Sequence, residues 1–271
     1  MSKKSDLEHP ADAFSQTLLT VQGAGMRELR DPVARASAVS ASDQFSQFKI
    51  RLATSDGQKR LARMLVQRMY ATRGYDSDAD GPAQEAGETT GTKEVDAPTQ
   101  LTLVVSDRQE RPQGTMSMVF DVGHGLPADE VFKDLLDPLR LEGRRLIEIG
   151  RLAIDRSEGS KRLFAGMIHV FLIYSTVIHR YTDWIIEVNP RHVGYYQKMI
   201  GMDVLSEVRN CPRVDAPAVL LRIKLADMLA RSEAVGGQGR NDKTERSLYP
   251  YFLSKEDARG LAHRLLTDYL F

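Results

Sequence analysis

From residue 47 onward the hydrophobic pattern switches between a period of two and a period near 3.6, predicting strands and helices in alternation. Phe48, Ile50 and Leu52 alternate with Lys49, Arg51 and Ala53, as in a strand with one buried face. Ser55 or Asp56 then caps a helix with apolar positions at Leu61, Met64, Leu65 and Tyr70, helped by the stem of Arg68 and ending near Gly74. Two β-rich runs, 101–107 and 114–121, flank RQERPQ as an antiparallel hairpin. Pro127-Ala-Asp-Glu opens a short helix through Leu139. Next come a strand at 146–155, a helix at 160–180, a strand at 184–189, a helix at 192–200, and paired strands at 204–208 and 218–224. A mixed sheet flanked by helices accommodates this order, and its strand–helix–strand unit requires a right-handed parallel crossover.

The ends read differently. Residues 1–45 are polar and small without a sustained period, which predicts a flexible segment, helical at most around 13–24 and outside the core. Residues 76–99 are acidic and rich in Gly, Thr and Ala, an expected mobile surface insert. Residues 226–271 read as a C-terminal appendage, with the polar linker VGGQGRNDKTER before a helix at 254–269. A single domain, 46–225, lies between these ends.

Composition narrows the function classes. Acidic and basic residues balance at 37 each, against the basic excess of a dedicated nucleic-acid binder. Cys211 is the only cysteine, so no internal disulfide can form, and a lone thiol suits a reducing compartment. The N-terminus has no apolar leader-like run. The apolar stretch 163–178 is short for a membrane span and contains His169, Ser175 and Thr176, so a buried helix is expected. These features point to a cytoplasmic protein. No His, Cys, Asp and Glu residues have metal-ligand spacing, and no Ser-His-Asp arrangement is visible. His124 falls in a glycine-flanked loop, and His169 reads as a core histidine.

Chemistry enters at RRLIEIGRLAIDRSEGSK. A regular strand puts Glu148, Gly150, Leu152 and Ile154 on one face, and Ile149, Arg151 and Ala153 on the other. A glycine inside a strand often marks a bulge. A bulge at or beside Gly150 brings Glu148 and Arg151 toward one side and frees a backbone N–H. The free N–H can hold a thioester oxygen as charge develops on it, and the carboxylate can take a proton from an amine. The plain alternative is a Glu148–Arg151 salt bridge beside a buried strand.

Glu148-Ile-Gly-Arg151-Leu-Ala-Ile-Asp155 resembles the Glu-x-x-Arg strand of the acyl-homoserine-lactone synthases and of the related long-chain N-acyl amino acid synthases. The resemblance continues through Asn189-Pro-Arg-His-Val-Gly-Tyr-Tyr-Gln-Lys-Met-Ile-Gly201-Met, and upstream through Tyr70-Ala-Thr-Arg-Gly-Tyr75-Asp. It spans roughly residues 47–225, with 148–155 and 189–202 as its specific part. The N-acyl amino acid synthases match better, because the first helix ends in Gly74-Tyr75-Asp76 and a long acidic insert follows.

That resemblance implies the N-acetyltransferase fold, a mostly antiparallel sheet with a central, splayed parallel strand pair. It implies an N-acyltransferase that moves a long-chain acyl group from an acyl carrier protein thioester, or from coenzyme A, to the amine of an amino acid. The alternatives are an acyl-homoserine-lactone synthase and a coenzyme-A-dependent N-acetyltransferase. No tightly bound cofactor is implied, since the acyl-phosphopantetheine thioester is itself the donor substrate. Glu148 is the expected base, and Arg151 either fixes the acceptor carboxylate or orients Glu148. Tyr196 is the expected acid for the leaving thiolate, with Tyr195 as the competing inward-facing tyrosine. Asn189, His192 and Tyr195 are the expected acceptor-side residues. Leu152, Ala153 and Ile154 should line the donor. N-acetyltransferases hold the donor's pyrophosphate on an Arg/Gln-x-x-Gly-x-Gly/Ala turn at a helix N-terminus, which suits phosphate, and Arg156, Gly159, Ser160, Lys161 and Arg162 resemble that turn. Lys161 stands where the coenzyme A motif has a small residue, which favours a single phosphate on an acidic carrier protein.

Overall fold

In the computed structural model the described residues are 17–22, 25–27, 48–54, 56–71, 99–154, 160–239 and 245–270. Their elements run β1 (Thr17–Gln22), β2 (Gly25–Arg27), β3 (Phe48–Leu52), α1 (Asp56–Ala71), β4 (Gln100–Ser106), β5 (Pro112–Phe120), α2 (Asp129–Leu141), β6 (Leu146–Ile154), α3 (Ser160–Ile173), β7 (Asp183–Val188), α4 (Val193–Ile200), β8 (Asp203–Val204), β9 (Arg209–Cys211), β10 (Ala216–Lys224), α5 (Leu225–Val235) and α6 (Lys255–Leu270). The sheet order is β2-β1-β3-β4-β5-β6-β7-β10-β8, with β9 paired to β10. The β6–β7 pairing is parallel, and every other pairing among the described strands is antiparallel. This is the mixed, mostly antiparallel sheet expected of the N-acetyltransferase fold.

Strand alternation sorts side chains to two faces. One face buries Leu103, Val105, Met116, Met118, Ile147, Ile149, Trp184 and Ile186 under α3, α5 and α6. The other packs Leu146, Ile185 and Leu220 beneath Phe132, Leu136 and Leu139 of α2, and Ala153 beneath Leu65, Val66 and Met69 of α1. α3 is apolar all round because it lies between the sheet and the C-terminal helices. Among the described residues, Lys161–Ile178 is the one helix long and apolar enough to cross a membrane, and it is largely buried. Its last turn widens to a π-helix at Tyr174–Ile178. There Ser175 Oγ donates to the Phe171 carbonyl and accepts from Trp184 Nε1, so both buried polar groups are satisfied.

Several expectations are corrected. Residues 17–22 and 25–27 are strands, not a core-free or helical segment. β1 pairs with β3, and Leu18 and Leu19 are buried. The TLLTVQ run has too few residues to show a period, yet an open sheet edge supplies it with backbone partners. On α1 the buried face is Ala62, Leu65, Val66 and Met69, while Met64 is 59% exposed. The 204–208 strand is cut to β8, because Ser206 Oγ replaces a backbone acceptor for the Leu220 N–H. The residues after Lys224 are not linker at first. They form α5, which buries Leu225, Met228 and Ser232 at helical spacing. The 76–99 insert lies outside the described residues up to residue 98, as do 72–75.

The segment 245–253 then straps the back of the molecule. The Leu248 N–H donates to the Met199 carbonyl, and the Tyr249 hydroxyl donates to the Ile200 carbonyl at 2.6 Å. Both carbonyls belong to the last turn of α4, where a helix lacks partners of its own. His169 is core, as expected. Its Nδ1 accepts the Leu253 N–H and its ring stacks on Phe252 at 4.7 Å. Tyr249→Phe should cost about 1–3 kcal/mol, the typical penalty for leaving a buried carbonyl unpaired. The check is urea unfolding, with a lower midpoint and an unchanged m-value.

Candidate active site

The parallel register between β6 and β7 ends at Glu148↔Ile185, while β6 continues to Ile154 and β7 to Val188. The two strands therefore part immediately beyond Glu148. Between β5 and β6 the register jumps from Ser117↔Gly150 to Thr115↔Ala153, so Arg151 and Leu152 together oppose Met116. This is a β-bulge. Leu152 keeps the face of Met116, which identifies Arg151 as the extra residue. Its φ of 50° lies in the left-handed region, where a side chain costs roughly 1–2 kcal/mol. Gly150 itself has an ordinary φ, and a Cβ there would meet nothing within 4 Å. The bulge expected beside Gly150 is thus present, one residue further on.

Glu148 is 6% exposed and accepts the Ala128 N–H at 2.7 Å, which ties it to the entry of α2. Burial, reinforced by the negative charge of Glu187, pushes its carboxyl up to about 8. Glu187 lies on the same face of β7, two residues past the point of separation. Its Oε2 pairs with Arg213, and its Oε1 is buried without a hydrogen bond. Burial raises Glu187 as well, and Arg213 counters this. Arg213 sits in the turn between β9 and β10, where it also pairs with Glu130 at 3.0 Å and donates to the Pro127 carbonyl.

The expected Glu148–Arg151 partnership is not formed. Arg151 is exposed, and the charges acting on Glu148 come from Glu187, Arg213 and Asp129. The physical reason is that the extra residue leaves the ladder, so parity no longer decides where its side chain goes. Sequence reasoning missed Glu187 and Arg213. Glu187 had a signal, an acidic residue in the otherwise apolar run DWIIEV; Arg213 in CPRVD had none.

On α4, Tyr196 packs against the main core, whereas Tyr195 is 46% exposed and stacks on Phe164 at 6.4 Å. Tyr196 is the inward tyrosine. Asn189 caps the turn Pro190–His192 by accepting the Arg191 N–H, so its observed task is structural. His192 is exposed, and its Nε2 accepts from Arg191 Nε. Leu152 and Ile154 pack at the edge of the large core and Ala153 lies under α1. Arg156, Gly159 and the Ser160 side chain fall outside the described residues. Lys161 Nζ donates to the Arg246 carbonyl and lies 4.8 Å from the Tyr251 ring centroid, with the Arg162 guanidinium 5.9 Å from the same ring. The start of α3 is therefore a basic surface backed by the strap.

The model of the N-acyl amino acid synthase FeeM family matches residues 61–224, more than half of the chain. Among solved structures, FeeM, an N-acyl amino acid synthase from uncultured soil microbes, superposes with a TM-score of 0.57 at 22% identity, covering 68% of this chain and 93% of that one. The AHL synthase LasI is similar at a TM-score of 0.42 and 16% identity, over 66% and 90% of the two chains. An aminoglycoside N(6')acetyltransferase from Legionella pneumophila gives 0.44 and 13%, over 68% and 95%. No curated protein matches the chain.

Proposed function

This chain belongs to the N-acyl amino acid synthase FeeM family and is an acyltransferase of the N-acetyltransferase fold, and from that premise we propose that it joins a long-chain acyl group to the amine of an amino acid in the cytoplasm. The donor in this reading is an acyl-phosphopantetheine thioester on an acyl carrier protein, with coenzyme A as the second source. Lys161 and Arg162, side by side at the start of α3, support the carrier protein, since such a surface attracts an acidic partner.

The observation that carries the reading is the position of Glu148, buried where β6 and β7 part and three residues before the bulge. The acceptor's ammonium loses one proton to solvent, and the neutral amine gives up a second to the Glu148 carboxylate as it attacks the thioester carbon. Backbone N–H groups released by the bulge stabilise the oxyanion. The C–S bond then breaks, the leaving thiolate takes a proton from the Tyr196 hydroxyl, and the proton held by Glu148 returns to Tyr196 through solvent, giving an amide and a free thiol. No enzyme-bound acyl intermediate is needed. Mass spectrometry of lipid extracts from cells overexpressing the protein tests this. N-acyl amino acids should accumulate and reveal both acceptor and chain length. Acyl-homoserine lactones, or short N-acetylated amines alone, would overturn it.

A further inference from the structure

Resting on the acyl-transfer reading above, we propose that Arg213 and Glu187 recognise the charged end of the acceptor, Arg213 taking its carboxylate and Glu187 its ammonium. An α-amino acid carries these two charges on one carbon. The cleft offers a guanidinium and a carboxylate already in contact with each other, beside the buried Glu148. Glu187 Oε1 is buried with no hydrogen bond, in a side chain only 11% exposed. A buried carboxylate oxygen left unpaired costs stability unless something donates to it. Once Glu148 ionises, as pH climbs through about 8, one guanidinium faces two carboxylates, and an arriving ammonium supplies the missing cation.

Arg213 is arranged to exchange partners. It is 34% exposed, and its Nη1 bridge reaches Glu130, which is itself 45% exposed. Such exposed bridges are worth about 0–1 kcal/mol, so a substrate carboxylate can displace Glu130 at little cost. A guanidinium binds a carboxylate through two parallel hydrogen bonds, which also fixes the orientation of the amine. Arg151, the residue expected to do this, is exposed and makes no ion pair among the described residues.

The test compares an amino acid with the amine that lacks only its carboxylate, such as leucine and 3-methylbutylamine, using purified protein and an acylated carrier protein. The wild type should favour the amino acid by at least about 100-fold in kcat/KM, since a site built for a polar group rejects analogues lacking it. Arg213→Met should raise the amino acid KM by about 10–100-fold and erase the preference, while turnover of both acceptors falls alike because the cation that offsets Glu148 and Glu187 is lost. Arg213→Lys keeps the charge without the fork and should fall between the two; it also serves if the Met variant misfolds. A wild-type preference that survives Arg213→Met overturns the proposal. Equal wild-type use of both acceptors overturns it too, while leaving acyl transfer standing. Transfer to neither overturns the functional reading along with it.

Discussion

Glu148→Gln is expected to lower acyl transfer by about 10²–10⁴-fold, the usual worth of a general base, while leaving the protein folded and more stable than the wild type at alkaline pH. The amide is nearly isosteric, and its carbonyl oxygen can still accept the Ala128 N–H that anchors the entry of α2. The stability effect follows from linkage. Burial and Glu187 raise the folded-state carboxyl from 4.5 to about 8. A group raised on folding contributes stability that is complete below its ordinary value and is lost as pH climbs through the folded value. Wild-type stability should therefore decline between about pH 5 and pH 8, and the Gln variant should lack that decline. The gap at pH 9 is on the order of a few kcal/mol, since each pKa unit is worth about 1.4. Denaturant titrations at pH 5 and pH 9 read it directly. Near-normal turnover by the variant would remove Glu148 from the mechanism. A pH-independent gap would show that Glu148 is not the buried carboxylate described above. In the wild type, kcat/KM should rise with pH through about 8 as this carboxylate ionises.

Deleting Arg151 should also remove activity, by about 10²–10³-fold, the range found when one oxyanion donor is lost. The register explains why the fold should survive. Arg151 is the extra residue, so its removal leaves Leu152 and Ile154 on the α3 face and Ala153 on the α1 face, where they pack now. The ladder would close, and the N–H freed by the bulge would return to pairing. Arg151→Gly is the control. It retains the bulge, removes the guanidinium and relieves a left-handed φ at a side-chain-bearing residue, which should stabilise by roughly 1 kcal/mol. Activity in the glycine variant together with loss in the deletion assigns the role to the backbone. Activity in both would remove the bulge from the mechanism.

Local pattern determined much of this molecule. The two-residue period of β3 to β5, the apolar run of α3 and the strand–helix–strand order required a mixed sheet with one parallel pair, and the pair formed by β6 and β7 is there. Gly150 marked the neighbourhood of the bulge because glycine is poorly suited to the interior of a strand. The Glu-x-x-Arg and Asn-Pro-x-His segments carried the family resemblance, since both are contiguous in sequence.

Tertiary structure decided what depends on partners distant in sequence. β1 is a strand because β3 has an edge to offer it, and Leu19 becomes core only once that pairing is made. The bulge lies beside Gly150 as expected, but it does not bring Arg151 to Glu148, because where an extra residue's side chain goes is set by its surroundings and not by its place in the ladder. Glu187 and Arg213 meet Glu148 because β7, the β9–β10 turn and β6 converge on one face. A period reports which face a residue occupies along its own element. Which charges gather across that face is set by how the strands and turns come together, and there the carboxyl groups acquire their chemistry.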